Sequence, residues 1–175
     1  IRTDLLSPAY VRGLQTLQDQ VPAFDTAIAK QILETEWGDK VDNVVVSVSA
    51  KPVAAASLGQ VYKATLKSTG EQVAIKVQRP NIMEQIALDM HLLREMGSIA
   101  KRVFNLNTDT VGTVDAWGTG FVDELDYHSE AKNAQTFMKS IQTTPLKDVV
   151  FAPDIIEQYS TRRVLTTAWV DGERL

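Results

Sequence analysis

The sequence predicts an α+β fold with an antiparallel sheet of about five strands. Two segments with helical spacing of apolar residues come before any β-rich run, and three β-rich runs then follow close together. Two of these runs are joined by a short loop that contains glycine, which is typical of a β-hairpin. Because further helical segments follow the hairpin as a group, the order favours an α+β fold over alternating β–α units.

Two helices are predicted ahead of the sheet. The first begins at Ser7-Pro8, since serine is a favoured N-cap and proline a favoured first helical residue, and it ends at Pro22. The second is capped by Asp25 and ends at Gly38, because glycine favours the left-handed conformation that closes a helix.

The strands are predicted from runs rich in β-branched residues. The loop KSTGE joins the second and third runs, and Gly70 within it can adopt the positive φ that a tight hairpin needs. The predicted strands lie at residues 44–48, 59–66, 72–78, 155–159 and 163–170.

Two long helices are predicted between the third and fourth strands. Asn81 caps the first, which runs to about Phe104 and has one seam that is apolar except for Asp89, interpreted as a hydrogen-bonded polar interruption. The second runs from about Thr119 to Ile141 with an apolar packing stripe. The seam comprises positions 82, 86, 89, 93, 96, 100 and 103, and the stripe comprises Tyr127, Ala131, Ala134, Met138 and Ile141.

The composition excludes several classes of function. The chain has 175 residues, a formal net charge of -4 and no cysteine. The negative charge argues against a general nucleic-acid binder. The absence of cysteine excludes disulfides, thiolate metal sites and cysteine catalysis, and it fits a reducing compartment. No apolar run approaches the ~18 residues of a transmembrane segment.

We divide the chain into a helical N-terminal extension, residues 1–40, and a lobe that contains the sheet, residues 41–175. The first residues are neither a signal peptide nor a transit peptide, and the chain stops just after a strand-like apolar run. We therefore expect the sequence to be a segment of a longer protein.

The predicted hairpin has the spacing of a nucleotide-binding motif. AAASLGQV reads Ala54-x-Ala56-x-x-Gly59-x-Val61, whereas the protein-kinase phosphate loop reads G-x-G-x-x-G-x-V and is followed by V-A-I-K. VAIK is present and ends at Lys76. Either motif alone is more often a packed turn or an edge strand, but their joint spacing favours nucleotide binding. Alanine in place of glycine holds the backbone further from a phosphate, so we expect an altered pose or affinity.

The strand period determines which way Lys76 points. Ala74 and Lys76 share one face of their strand, opposite to the face of their β-branched neighbours. The small alanine leaves room for a flat base, and the lysine ammonium can reach a phosphate.

A group of carboxylates in DELDYHSEAKNAQTF supplies a candidate partner for this lysine. Asp126 and Glu130 are four residues apart on one helix face, where like charges repel. One interpretation is that the helix N-terminus and solvent compensate. The other is that Glu130 pairs with Lys76 and holds its ammonium toward phosphate. Glu124 and Asp126 lie nearby, but neither shows metal-ligand spacing, and we assign no metal ligand.

These segments together resemble the UbiB-type family of atypical kinases, the aarF-domain-containing kinases. The resemblance rests on PVAAASLGQVYKA, VAIKVQRP, ELDYHSEAKNAQTF and VLTTAWVDG, in that order. DLLSPAYVRGLQTLQDQVP is similar to the segment that leads into the family's kinase-like lobe. The resemblance covers nearly the whole chain and implies a protein-kinase-like N-lobe with additional N-terminal and inserted helices.

The resemblance also implies ligands, partners and site residues. Lys76 is expected to contact ATP, Glu130 to be its ion-pair partner, and Glu124 and Asp126 to match the family's E-x-D element. Members are associated with isoprenoid-lipid metabolism, notably prenylquinones, in bacteria, mitochondria and plastids, which implies peripheral membrane association and lipid-synthesis proteins as partners. The nucleotide-binding set that it implies comprises Ala54, Ala55, Ala56, Ser57, Gly59, Val61, Ala74, Lys76, Glu124 and Asp126.

Departures from the family pattern bear on activity. The K-x-G-Q motif is not in the chain, and the family's T-M-E-W segment has Ala168 in place of its glutamate. There is no H-x-D and no D-F-G, and neither His91 nor His128 fits the catalytic loop. Because phosphoryl transfer needs those groups for Mg²⁺ and for the nucleophile, we expect the segment to be inactive alone, with most Mg²⁺ ligands in a C-lobe outside it.

Three functions remain open at this point. The first is an ATP-binding lobe of a UbiB-type kinase or ATPase. The second is a pseudokinase-like scaffold that binds a lipid or a partner protein, motivated by the alanine loop and the substituted hinge. The third is a protein Ser/Thr kinase, against which the extra helices count because they would lie where a protein substrate approaches.

Overall fold

The computed structural model describes residues 21–104 and 107–172, together with Ser7 and Tyr10. The first predicted helix, residues 7–21, therefore lies almost wholly outside the described residues. The helices are α1 (Thr26–Trp37), α2 (Val41–Val44), α3 (Ile82–Val103), α4 (Thr110–Glu124) and α5 (Tyr127–Ile141). The strands are β1 (Val45–Val48), β2 (Ala54–Ala55), β3 (Gly59–Leu66), β4 (Gln72–Gln78) and β5 (Val164–Ala168), with a 3-10 turn at Glu157–Tyr159.

A five-stranded antiparallel sheet organises the fold. Its main order is β1–β3–β4–β5, and β2 pairs with β3 along the same edge as β1. The β3–β4 hairpin has the predicted bounds, and Gly70 in its turn has a φ of 75°. The fifth strand is β2 and not residues 155–159, so that prediction is wrong. Only Ile155 bridges to β5, because the chain then turns into the 3-10 segment.

The core lies between the sheet and α1. Alternation along β4 places Val73, Ile75 and Val77 on the core face, where they are completely buried. They join Ile32 and Leu33 of α1 in one hydrophobic cluster, and full burial of each such side chain contributes about 1.5–3 kcal/mol. The cluster spans the predicted division at residue 40, which as a domain boundary stays a prediction.

The ends of α1 confirm the predicted caps. The Asp25 carboxylate accepts a hydrogen bond from the Ala27 N–H at 2.8 Å. Gly38 adopts the left-handed conformation, with a φ of 68°, and its N–H donates to the Glu34 carbonyl. The neighbouring Phe24 is tied to the sheet, because its N–H and carbonyl both bond the buried side chain of Gln60.

The predicted helix from Thr119 to Ile141 is in fact two helices. Asp126 has an extended backbone, and its carboxylate accepts from the His128 N–H, which starts α5. The preceding helix, α4, begins earlier than predicted because Asp109 caps it through the Gly112 N–H. An aspartate N-cap inside an acidic run therefore divides what the apolar pattern alone presents as one helix.

Helix α3 has the predicted length but a different packing face. It packs against α4 through Met90, Gly97 and an ion pair of Arg94 with Asp115 at 3.3 Å. The predicted seam is buried at its first member, Ile82, whereas its members Leu93, Met96 and Val103, like Asp89, are exposed. Asp89 therefore does not interrupt a buried face, and its interpretation as a hydrogen-bonded interruption is not confirmed.

The start of α3 also differs from the prediction. Asn81 makes no capping hydrogen bond through its side chain. It adopts the left-handed conformation, with a φ of 55°, which asparagine tolerates better than most residues. Within the described residues, no helix combines the length and the apolarity that crossing a bilayer requires.

Candidate functional site

Lys76 and Glu130 meet on the face of the sheet that points away from the core. Lys76 alternates with the buried residues of β4, and Glu130 lies in the first turn of α5. The Lys76 Nζ is 2.7 and 2.9 Å from the two carboxylate oxygens of Glu130. The two side chains are 32% and 47% exposed. The predicted contact is thus present, and it forms part of the wall of an open cleft.

The cleft beside this ion pair has an apolar part, which we call the inner cavity, with a volume of about 260 Å³. Its floor follows the strand register, since Val61 and Leu165 flank Lys76 on the two neighbouring strands and Ala74 pairs with Thr167. The lining comprises Val61, Ala74, Lys76, Glu130, Ala134, Pro153, Ile155, Leu165 and Thr167.

A second part of the cleft, which we call the acidic cavity, has a volume of about 440 Å³. Lys76 and Glu130 line both cavities and therefore lie at their junction. Within residues 21–104 and 107–172, no group of three or more acidic or histidine side chains is arranged to hold a metal ion. The lining comprises Leu58, Lys76, Asp123, Glu124, Asp126, Ser129, Glu130 and Asn133.

Each of the two interpretations of the acidic group holds for one carboxylate: Asp126 lies at a helix N-terminus, and Glu130 pairs with Lys76. The Asp126 carboxylate caps α5 at 3.0 Å from the His128 N–H and also lies 3.1 Å from the His128 Nδ1. Glu130 turns to Lys76 instead. The repulsion expected between the two carboxylates is therefore offset by a helix N-terminus for one and an ammonium for the other.

The alanine loop folds back onto its own hairpin. Ala54 and Ala55 pair with β3, and the Ala56 N–H donates to the Gly59 carbonyl at 2.8 Å. Of this segment only Leu58 lines the acidic cavity, whereas Ala54, Ala55, Ala56 and Ser57 line neither cavity. The role of these four residues in nucleotide binding stays a prediction.

Gly59 is required by a close approach and not by its backbone angle. A Cβ at this position would lie 2.5 Å from the Val77 carbonyl oxygen and 2.8 Å from the Tyr127 hydroxyl. Both distances are below any normal contact, so alanine here would force the backbone or the tyrosine to move.

Tyr127 lies directly beneath the ion pair. The Lys76 Nζ is 4.6 Å from the centroid of its ring, within the range of a cation–π contact. The side chain is buried, and its hydroxyl has no hydrogen-bond partner within the described residues. Burial, with a smaller effect of the Glu130 charge, raises the pKa of the Tyr127 hydroxyl well above its usual value.

The sequence analysis missed several residues that line the cleft or lie beneath its ion pair. Tyr127 and Ala134 belong to the predicted packing stripe, where their second role is invisible. Leu165 and Thr167 share one face of β5, so the period-two pattern of that strand contained the signal. Aligning β5 beside β4, so that this face adjoins Ala74 and Lys76, would have identified Leu165 and Thr167 as cleft residues.

Comparison with known proteins places the chain in a family. The model of the ABC1 atypical kinase-like domain matches residues 16–175. The chain belongs to the ABC1 atypical kinase-like family. The predicted resemblance to aarF-domain-containing kinases is confirmed, since relatives of this ABC1 domain carry that name.

Two plant relatives show how much of an ABC1 protein is represented. An aarF domain-containing protein kinase of Arabidopsis thaliana, chloroplastic by name, is 42% identical over 174 residues, which are 99% of this chain and 25% of the relative. The chloroplastic ACTIVITY OF BC1 COMPLEX KINASE 3 of the same plant is 43% identical over 175 residues, 99% of this chain and 24% of the relative. The chain thus spans about a quarter of the length of these relatives.

A solved structure has a similar architecture. A Mycobacterium tuberculosis protein, determined as a complex with erythromycin, matches with a TM-score of 0.69 and 28% identity over 94% of this chain and 40% of that chain. Together with the family match and the antiparallel sheet, this confirms the predicted kinase-like α+β fold.

Proposed function

We propose that the cleft binds ATP, with the adenine in the inner cavity and the phosphates at Lys76 and toward the acidic cavity. The observation that carries this proposal is the Lys76 ammonium, held by both oxygens of Glu130 at the junction of an apolar and a polar cavity. A flat apolar base and a charged phosphate chain require this change of polarity within one cleft.

The inner cavity fits the base because its floor is made of small and branched side chains. Ala74 and Thr167 pair across β4 and β5, and Val61 and Leu165 flank them on one face of the sheet. A flat ring can pack on this surface by apolar contact alone. On this proposal Ala74 leaves room above the sheet for the base, as its side of the strand predicts.

The acidic cavity favours phosphates that carry a cation. Asp123, Glu124, Asp126 and Glu130 line it against one ammonium, so a bare triphosphate would be repelled. Mg²⁺ commonly binds through one or two carboxylates, water and substrate phosphates. Glu124 and Asp126 fit that partial role, and we propose that the remaining protein ligands come from a C-lobe outside this segment.

The full-length protein is, on this proposal, an atypical kinase or ATPase that supports isoprenoid-lipid metabolism and in particular prenylquinone metabolism. Support comes from membership of the ABC1 family and from relatives named as kinases. We propose a plastid location, because both plant relatives are chloroplastic by name. Isoprenoid lipids and the proteins that make them are the proposed partners, with peripheral membrane association.

The proposal is tested with Lys76→Ala in the full-length protein. We expect ATP binding to weaken by at least about tenfold, which corresponds to ~1.4 kcal/mol, and ATP turnover to be lost. The matched control is Lys67→Ala, because Lys67 is an exposed lysine at the hairpin turn whose ammonium donates to the Asp42 carbonyl, far from the cleft residues in the strand register. Unchanged ATP affinity and turnover in Lys76→Ala, with circular dichroism matching the parent protein, would refute the assignment.

A non-catalytic scaffold is the second candidate, favoured by the alanine loop. Its residues Ala54 to Ser57 line neither cavity, and alanine holds the backbone further from a phosphate than glycine does. A scaffold that retains the cleft would bind ATP without turning it over. Calorimetry and phosphate release, measured on the same full-length preparation with and without Mg²⁺, separate the two functions.

A further inference from the structure

We propose that Tyr127 is a positioning residue for Lys76, and that its aromatic ring, not its hydroxyl, sets where the ammonium stands. Its effect on nucleotide affinity rests on the ATP-binding function proposed above, whereas its effect on Lys76 itself does not.

One helix face supplies both partners of the ammonium. Tyr127 and Glu130 are three residues apart on α5 and therefore neighbours on its surface. The ammonium lies 2.7 Å from the nearer carboxylate oxygen and 4.6 Å from the ring centroid. Lysine is a point charge on a flexible stem, so a carboxylate that is itself half exposed does not fix it alone. The ring supplies the second contact.

The ring is held far more firmly than the lysine. Tyr127 is 1% exposed, whereas the Lys76 side chain is 32% exposed. The Tyr127 N–H donates to the Arg162 carbonyl at 3.1 Å, and the preceding Asp126 caps the helix. The Tyr127 ring is therefore fixed by burial and by the helix cap, and the more flexible Lys76 ammonium packs against its face.

Among the residues that the structure describes, the Tyr127 hydroxyl makes no hydrogen bond that phenylalanine would lose. It has no partner within the described residues, and it ends beneath the loop, where a Cβ on Gly59 would approach it to 2.8 Å. The side chain therefore touches both the last residue of the predicted phosphate loop and the lysine. Removing the hydroxyl leaves the cation–π contact in place, whereas removing the ring abolishes it.

The test compares Tyr127→Phe with Tyr127→Met in the full-length protein. Methionine fills space without an aromatic face, and Tyr127→Leu is a second non-aromatic variant should methionine fail to fold. The first readout is the rate of lysine acylation by a dilute amine-reactive ester without nucleotide, followed by peptide mass spectrometry. We expect the Lys76 rate to rise on the order of threefold in Tyr127→Met and to keep the parent value in Tyr127→Phe.

Two controls accompany this measurement. Acylation of Lys67 in the same samples reports on general reactivity. Tyr62→Met reports on the loss of a buried aromatic elsewhere, because Tyr62 is equally buried but lies on the opposite, core side of the sheet. We expect the Lys67 rate to be the same in all variants, and we expect Tyr62→Met to leave the Lys76 rate unchanged.

The second readout is ATP affinity by calorimetry. We expect ATP affinity to fall on the order of tenfold in Tyr127→Met and to keep the parent value in Tyr127→Phe. An unchanged Lys76 rate in folded Tyr127→Met overturns the positioning role, and equal effects of Phe and Met overturn the assignment to the ring. If the Lys76 rate responds as expected but the parent protein does not bind ATP, the positioning role stands and the ATP function fails.

Discussion

Lys76 and Glu130, 54 residues apart in the sequence, form a two-point ion pair at the junction of an apolar and an acidic cavity. The chain folds a strand and a helix together so that one ammonium faces both cavities. Because both side chains are partly exposed, this pair contributes little to stability. Its consequence is that the Lys76 ammonium is held at the junction of the two cavities.

Glu130→Gln is therefore expected to separate function from stability. The substitution preserves shape and removes the charge, so we expect the free energy of unfolding to change by less than about 1 kcal/mol. ATP affinity of the full-length protein should fall on the order of tenfold, since the ammonium loses its orienting carboxylate. Urea denaturation and calorimetry measure the two quantities.

Glu157→Gln is the control for Glu130→Gln, because Glu157 is an exposed carboxylate that accepts one hydrogen bond from Gln135. It should change neither quantity. A large loss of stability in Glu130→Gln together with unchanged ATP affinity would show that Glu130 has a purely structural role.

Gly59→Ala is expected to destabilise the hairpin by about 1–3 kcal/mol, because the new Cβ would overlap the Val77 carbonyl and the Tyr127 hydroxyl. Gly120→Ala is the matched control. Gly120 lies within α4 with open space around it, so alanine should stabilise that helix by about 0.5–1 kcal/mol. Thermal denaturation of both variants tests the prediction, and it fails if the two behave alike.

Gln60→Leu is expected to loosen the segment that precedes α1. The fully buried Gln60 accepts from the Phe24 N–H at 3.0 Å and donates to the Phe24 carbonyl and the Tyr62 hydroxyl. Leucine removes this partner from the Phe24 N–H and carbonyl, at a cost of about 1–3 kcal/mol each where they stay buried, whereas the Tyr62 hydroxyl keeps its donation to the Thr26 hydroxyl. Hydrogen exchange at the Phe24 amide should accelerate, whereas exposed Gln31→Leu should leave it unchanged.

Stability is expected to fall in alkali because of Tyr127. Burial raises the pKa of this hydroxyl in the folded state above the value of 10.0 that it has when unfolded. Above pH 10 the unfolded chain therefore loses a proton that the folded chain keeps, and unfolding becomes easier by about 1.4 kcal/mol per pH unit until the folded pKa is reached. Below pH 10 both states are protonated and this effect is absent.

Tyr127→Phe removes this ionisation and is the control for the alkaline experiment. Urea denaturation between pH 9 and pH 11 should show a shallower pH dependence for Tyr127→Phe than for the parent protein. Equal slopes would contradict the burial of the hydroxyl. At neutral pH the variant should be at least as stable as the parent, because it removes a buried hydroxyl that has no hydrogen-bond partner in the described part of the chain.

Local signals in the sequence predicted the parts of the fold that depend on neighbouring residues. The caps at Asp25 and Gly38, the β3–β4 hairpin and its Gly70 turn, and the alternation that buries Ile75 all agree with the structure. Each follows from backbone preferences or periodicity within a few residues. The predicted contact of Lys76 with Glu130 came instead from the lysine–glutamate pair of kinases, which the VAIK motif and the family resemblance imply.

Tertiary structure alone decided what depends on which elements pack together. The exposure of Met96 depends on which side of α3 packs against α4, and the position of the Tyr127 ring under Lys76 depends on a strand distant in the sequence. The break between α4 and α5 at Asp126 comes from a local cap, which the apolar pattern conceals because it continues across it. Periodicity shows that a helix has an apolar side but not what covers it. For this chain, the sequence by itself determined the hairpin and its lysine, whereas the packing of α5 across the sheet determined the cleft.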